Sequence, residues 1–167
     1  MISNEMVTVY LGLGSNLGDR RENLRKALDY IGQRLHITAC SSVYDTEPQE
    51  NNDQPRFLNM VCRAKTIIQP EDLLVLAKGI EARMGRLPGR PNAPRTIDID
   101  ILLYGDKVVK TPDLVIPHPK MARRMFVLMP LAEIAPGLEH PASKLTIDEM
   151  MVKVKNDQGV VKLEGCL

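Results

Sequence analysis

The sequence predicts an α+β protein in which an antiparallel sheet carries helices on one face. Three observations carry that prediction. Residues 7–13, 36–46, 57–66 and 95–104 are rich in β-branched and apolar residues and carry the patterns expected of strands. Residues 19–35 and 70–84 instead repeat apolar side chains at helical spacing. The resulting order is β-α-β-β-α-β, that of the ferredoxin-like sandwich, with C-terminal additions beyond Gly105. It predicts two helices on one face of the sheet and a free face opposite.

The first strand leads into the turn Gly14-Ser15-Asn16-Leu17-Gly18-Asp19. Asp19 with Glu22 resembles a capping box that opens a helix to about Leu35, with Leu24, Ala27, Leu28, Ile31 and Leu35 as its apolar stripe. The second strand places Ile37, Ala39, Ser41 and Val43 on one face. Residues 47–56 hold Pro48 and Pro55 without periodicity and form a loop longer than most connections, a candidate functional loop. In the third strand Phe57, Asn59 and Val61 share one face, and Leu58, Met60 and Cys62 the other. An Asn beside a Phe is an unusual core pair.

The second helix opens on Pro70-Glu71-Asp72, a proline at the first helical position and acids in the first turn. Leu73, Leu74, Ala77, Ile80 and Met84 form its buried stripe, and Gly85 suits its C-cap. Pro88, Gly89, Pro91 and Pro94 exclude helix or central strand for residues 86–94. The fourth strand follows, with Ile97, Ile99 and Ile101 on one face and Thr96, Asp98 and Asp100 on the other. Beyond it, residues 108–109 and 114–116 are short strands and Pro117-His118-Pro119 a rigid turn. Residues 121–133 read as short helical pieces broken by Pro130. Thr146 with Glu149 is a second capping box, opening a helix to about Val154; residues 156–159 form a turn and 160–163 a last strand.

A chain of 167 residues fits one domain, 1–167, with a real core. At net charge +1 no global field favours nucleic acid or membrane, and no apolar run approaches the ~20 residues of a membrane span. Cys40, Cys62 and Cys166 are odd in number and lack CxxC spacing, so neither a disulfide framework nor a zinc site is expected. Cys40 and Cys62, in apolar stretches, read as small core residues. The N-terminus has no signal-peptide pattern, and the expectation is a cytoplasmic monomer.

The chemistry concentrates where a basic loop meets the fourth strand. Arg83, Arg86, Arg90 and Arg95 stand in residues 83–95 without a single acid. Asp98 and Asp100 follow, two residues apart on one face, a spacing of roughly 6–7 Å that suits a hard divalent cation or a pair of them. Guanidinium groups grip phosphate oxygens bidentately while carboxylates hold Mg²⁺ against the same oxygens. A solvated basic loop beside an edge strand with one wet face is the alternative; the convergence of both charge signs at one junction favours the polyphosphate–metal site. The Gly14-Ser15-Asn16 turn precedes a helix, as phosphate sites do, yet matches neither the P-loop nor the dinucleotide fingerprint and reads as structural. His118, just before Arg123 and Arg124, is a structural hydrogen-bonding residue or a phosphate contact.

Five segments together resemble a known family, that of 6-hydroxymethyl-7,8-dihydropterin pyrophosphokinase of folate biosynthesis. They are Leu13-Gly14-Ser15-Asn16-Leu17-Gly18, Ser42-Val43-Tyr44-Asp45-Thr46-Glu47-Pro48, Asp53-Gln54-Pro55-Arg56-Phe57-Leu58-Asn59, Pro94-Arg95-Thr96-Ile97-Asp98-Ile99-Asp100-Ile101-Leu102 and Ile116-Pro117-His118-Pro119. Order and spacing agree from about residue 7 to 137. The resemblance implies a ferredoxin-like α+β fold and transfer of pyrophosphate from ATP to the pterin hydroxymethyl group, releasing AMP. It implies two Mg²⁺ ions on Asp98 and Asp100, and phosphate contacts from Arg86, Arg95, Arg124 and His118. Ile101 and the end of the second helix, near Glu81, would frame the adenine, although Glu81 could equally be an exposed helix residue. For the pterin it implies Asn59 at the polar edge of the ring, Phe57 and Phe126 stacked on its faces, and backbone groups from Thr46, Glu47 and Pro48 onwards. The resemblance departs at Arg90-Pro91-Asn92, where the family usually carries a Trp, and at Pro119, which replaces an aromatic. Two other readings are a ferredoxin-like module that binds ATP or metal without turnover, and an RNA-binding sheet face. The 4% aromatic content and near-zero charge argue against the RNA reading.

Overall fold

The computed structural model describes residues 5–48, 54–85, 94–154, 159–165 and 167. Strand β1, Val7–Ser15, lies at the centre of the sheet. It pairs antiparallel with β4, Phe57–Thr66, on one side and with β5, Asp98–Tyr104, on the other. Strands β2, His36–Cys40, and β3, Tyr44–Thr46, both pair antiparallel with β4. The predicted α+β sandwich with its antiparallel sheet is therefore the fold observed.

Helices α1, Arg20–Gly32, and α2, Pro70–Arg83, cover one face. Helix α1 starts where the Asp19 carboxylate accepts the Glu22 N–H at 3.1 Å, satisfying one of the orphan donors of the first turn. It buries Leu24, Ala27 and Ile31; α2 buries Leu73, Ala77 and Ile80, and Gly85 takes a positive φ of 95° just past its end. Against them stand Val9, Leu11 and Leu13 of β1, Leu58, Met60 and Cys62 of β4, and Ile99 and Ile101 of β5. Each large aliphatic side chain buried there contributes about 1.5–3 kcal/mol.

The structure corrects four expectations. The second strand is not continuous over residues 36–46, because the chain leaves strand geometry between β2 and β3. There the Ser41 hydroxyl accepts the Val61 N–H at 2.9 Å, a side chain taking the place of a ladder carbonyl. Cys40 is exposed rather than core, since β2 is an outer strand whose residues are at best half-buried, whereas Cys62 is buried as expected. Pro130 does not break its helix: α3, Met125–Ile134, runs through it. The hydrogen bond that proline cannot donate is offset by the burial of Leu128, Pro130 and Leu131 on one side of the helix.

The fourth correction bears on function. The face opposite α1 and α2 is only half free. Tyr10, Val61, Leu102 and Leu103 on that face pack against Met125, Leu128 and Leu131 of α3, and against Ile147 and Met150 of α4, Ile147–Lys153. Helix α4 opens with the full Thr146–Glu149 capping box. Before α3 lie a hairpin of β6, Val109–Lys110, with β7, Val115–Ile116, and a 3-10 turn at Met121–Arg123. Strand β8, Val161–Lys162, extends the sheet beside β3. Among the described residues no helix is long and apolar enough to cross a membrane.

Candidate active site

The open half of that face is a consequence of β1. Its residues alternate, so Leu11 and Leu13 point into the core while Tyr10, Gly12 and Gly14 point to the other face. Tyr10 is covered by α3 and α4. Gly12 and Gly14 present no side chain and form the floor of an open cleft. The sequence signal was a pair of glycines two apart inside a strand, which marks a close approach to the backbone; the turn that follows drew attention away from it.

Register then fixes what stands on either side of the floor. Gly14 is paired with Asn59 of β4 and with Asp98 of β5, and Gly12 with Val61 and Asp100. The acidic pair thus lies two strand spacings, roughly 10 Å, from the Asn59–Phe57 pair on the same face. Thr46, Glu47 and Pro48, at the end of β3, line the far end beside Phe57. Arg124, Phe126 and Val127, at the start of α3, form the wall. The chain has only two phenylalanines, and both line this cleft, Phe126 also packing against the core beneath α3.

The polar groups are held in place. Asn59 is 8% exposed and its Nδ2 donates to Thr46 Oγ1 at 2.6 Å. A Cβ on Gly14 would come within 2.7 Å of Asn59 Oδ1, so the glycine makes room for that amide. The Arg124 guanidinium lies over the Phe126 ring, 5.4 Å from its centroid. Arg95 Nη1 donates to Asp98 Oδ2 at 3.2 Å. Among the described residues Arg95 Nε is buried without a hydrogen-bond partner, and a buried guanidinium N–H left so favours an anion.

Burial, then the neighbouring Asp98 charge, pushes the Asp100 carboxyl up to about 7, with Arg124 opposing. Two carboxylates crowded in this way suit a divalent cation, which relieves their repulsion and keeps both ionised. Among the described residues no three His, Cys, Asp or Glu side chains form a metal cluster. Two carboxylates complemented by substrate phosphate oxygens are the donor set of Mg²⁺ rather than of a dedicated protein cage.

Three of the expected residues lie outside the cleft, on or near the outer edge of β5. Glu81 is not an exposed helix residue: it is 2% exposed, and its Oε2 accepts the Ile99 N–H at 2.8 Å. Ile101 turns its side chain into the core beneath α2. His118 donates its backbone N–H to Leu102 O at 2.9 Å, and its Nδ1 accepts the Lys120 N–H at 3.2 Å. Burial and the nearby Arg124 depress His118 to about 4, so it is a neutral ring with its proton on Nε2, not an imidazolium. Arg86 lies outside the described residues. The sequence reading missed Gln54, which lines the cleft, and Asn16, which binds it; both stood in segments whose turn composition gave no sign of what they touch.

An acidic pair and an arginine at one end of a cleft, with a buried amide and two aromatic rings at the other, form the arrangement of a small-molecule phosphotransferase. A family model described as 7,8-dihydro-6-hydroxymethylpterin-pyrophosphokinase matches residues 10–136. The chain is 43% identical over 144 residues to the 2-amino-4-hydroxy-6-hydroxymethyldihydropteridine pyrophosphokinase of Aquifex aeolicus, covering 86% of this chain and 90% of that one. It is 42% identical over 154 residues to the protein of the same name from Bacillus subtilis, covering 90% and 92%. It also matches the folic acid synthesis protein FOL1 of Dictyostelium discoideum at 42% identity over 89% of this chain, and there it spans only 22% of the relative. In shape it is similar to Plasmodium falciparum HPPK-DHPS, solved in its wild-type form with pteroate, with a TM-score of 0.73 over 90% of this chain and 43% of that one, at 19% identity. The chain belongs to the 7,8-dihydro-6-hydroxymethylpterin-pyrophosphokinase family.

Proposed function

We propose that the chain performs the reaction of its family in folate biosynthesis: transfer of pyrophosphate from ATP to 6-hydroxymethyl-7,8-dihydropterin, giving AMP and the pterin diphosphate. The observation that carries the reading is the register. It sets an acidic, arginine-flanked end and an aromatic, amide-bearing end about two strands apart across a glycine floor. A pterin held at Asn59 directs its hydroxymethyl arm towards Asp98 and Asp100.

In this reading the Asn59 amide and backbone groups of Thr46, Glu47 and Pro48 bind the polar edge of the pterin, while Phe57 and Phe126 take its two faces. Ring stacking adds about 0.5–1.5 kcal/mol beyond the buried area. Asp98 and Asp100 are the residues that would hold Mg²⁺, two ions in number. When bound, the metal supplies neutralisation of phosphate charge and a template for in-line geometry. Arg95 and Arg124, joined by Arg86, hold phosphate oxygens as charge shifts during transfer. The pterin hydroxyl oxygen attacks the β-phosphorus and loses its proton. The bond from that phosphorus to the α–β bridging oxygen breaks, and AMP leaves with the oxygen.

The adenine end rests on the outer edge of β5. In an antiparallel ladder a residue turns both its backbone groups to one edge. Ile99 gives its N–H outward to Glu81, so Ile101, two residues on, presents its own N–H and carbonyl to the same edge, between Glu81 and the His118 turn. Ile101 therefore meets the nucleotide through its backbone. The neutral His118 Nε2–H is a donor for phosphate. The chain acts as a single-domain monomer of the cytoplasm on two small molecules.

The test is a metal titration with variants. Asp98→Ala or Asp100→Ala is expected to lower turnover by about a thousandfold or more, several kcal/mol of lost charge stabilisation. Wild type is expected to depend on Mg²⁺. Turnover that ignores Mg²⁺, or survives in both variants, removes the acidic pair from the mechanism.

A further inference from the structure

The motif Gly14-Ser15-Asn16 carries more than a turn. Asn16 is 1% exposed, and its side chain bridges two segments that approach the cleft from opposite sides. Its Oδ1 accepts the Arg95 N–H at 2.7 Å, and its backbone N–H donates to Arg95 O at 3.1 Å. Its Nδ2 donates to Gln54 Oε1 at 3.0 Å and to Pro55 O at 3.3 Å. A backbone N–H can only donate and a carbonyl can only accept, so Arg95 and Pro55 together fix which way the amide points. Only asparagine among the short side chains offers a donor and an acceptor on opposite sides of one planar group.

The turn that carries Asn16 is itself braced. Asn23 of α1 donates through Nδ2 to Ser15 Oγ at 3.1 Å and to Leu17 O at 2.7 Å. Asn16 therefore stands on a fixed base and holds two other segments to it. On one side is Arg95, which leads into Asp98. On the other are Gln54 and Pro55, which lead into Phe57 and Asn59. Among the described residues no side chain but Asn16 is hydrogen-bonded to both Arg95 and Gln54.

We propose that Asn16 is a positioning residue that couples the two substrate subsites: nucleotide drawn to Arg95 orders the Gln54–Pro55 segment for the pterin, and pterin orders Arg95 for the nucleotide. The inference rests on the functional reading above, and linkage requires the coupling to be reciprocal. A bridge of this kind needs no large motion. Each ligand immobilises groups that the other then finds already ordered.

The experiment is calorimetry on the full chain with Mg²⁺, a methylene-bridged ATP analogue that cannot turn over, and the reduced pterin. Each ligand is titrated alone and in the presence of the other. In the wild type, each is expected to tighten the other by about fivefold or more. Asn16→Ala, which cuts both arms, is expected to bring that factor close to one. Asn16→Asp keeps the acceptor for Arg95 but sets a carboxylate oxygen against the Pro55 carbonyl, which can only accept, and is expected to act likewise. Gln54→Ala, which cuts one arm at the edge of the cleft without touching the braced turn, guards against a folding defect and is expected to reduce the factor in part. A purely structural Asn16 would lower both affinities together and leave their coupling intact; that result, or a wild type whose two ligands bind independently, overturns the proposal. A wild type that binds neither ligand overturns the functional reading itself.

Discussion

Gly14 and Asn59 show how closely the amide-bearing end of the cleft, the proposed pterin subsite, is built. The buried Asn59 amide is held by Thr46 on one side and reaches over Gly14 on the other. A methyl group on Gly14 stands 2.7 Å from Asn59 Oδ1 and 3.5 Å from the Phe57 ring, so one of them has to yield. Displacing or unpairing a buried amide costs about 1–3 kcal/mol, which is about five- to 150-fold in affinity. Gly14→Ala is expected to weaken pterin binding by that amount and to leave Mg²⁺–nucleotide binding nearly unchanged, as read by calorimetry. Equal losses for the two ligands would locate the damage in the sheet rather than in the pterin subsite. The Phe–Asn pair was legible in the sequence because it broke the apolar rule of a strand face. Asn16 was not, because nothing local in a Gly-Ser-Asn turn reveals partners 38 and 79 residues away.

Helix α3 is the element on which the wall of the cleft depends. Its start carries Arg124, Phe126 and Val127, and its far end is tied down by Glu133. The Glu133 carboxylate accepts the Ser42 N–H at 2.7 Å and the Tyr44 hydroxyl at 2.7 Å, and Lys162 of β8 approaches at 3.6 Å. Burial alone would raise the Glu133 pKa, but the hydrogen bonds from Tyr44 and Ser42 and the Lys162 charge outweigh it and hold the carboxyl below its usual 4.5. A carboxyl depressed in the folded state contributes stability above its unfolded pKa and loses it as the pH falls through the folded value. Glu133→Gln is expected to cost about 1–2 kcal/mol at pH 7, allowing for its partial exposure. The gap from wild type should narrow as denaturation is repeated at pH values falling from 5 towards 3. A gap that stays constant with pH would show that charge is not what Glu133 supplies. Composition had suggested a helix broken at Pro130, but periodicity and proline rules act locally, whereas the burial that carries α3 through Pro130 is tertiary.

At the scale of the whole molecule, the sheet was legible because its strands are long and their two faces differ in chemistry. Phe57–Thr66 and Pro70–Arg83 fall where their patterns place them, and Ile99 and Ile101 occupy the core face opposite Asp98 and Asp100. Coverage of the second face was not legible. Met121, Met125 and Leu128 signal that something is buried, but not which side of the sheet receives it. That placement decides where the site can be, since α3 and α4 close one half of the face and the β1 glycines keep the other open. The geometry then poses one chemical question, which phosphorus of ATP is attacked. As a pyrophosphokinase the chain is expected to direct attack to the β-phosphorus, so that the β- and γ-phosphates pass together to the acceptor and AMP leaves. The direct measurement is the nucleotide product, resolved by chromatography after incubation of the protein with Mg²⁺, ATP and the reduced pterin. The expected result is AMP in equal amount to the pterin diphosphate; formation of ADP with a pterin monophosphate would contradict the account.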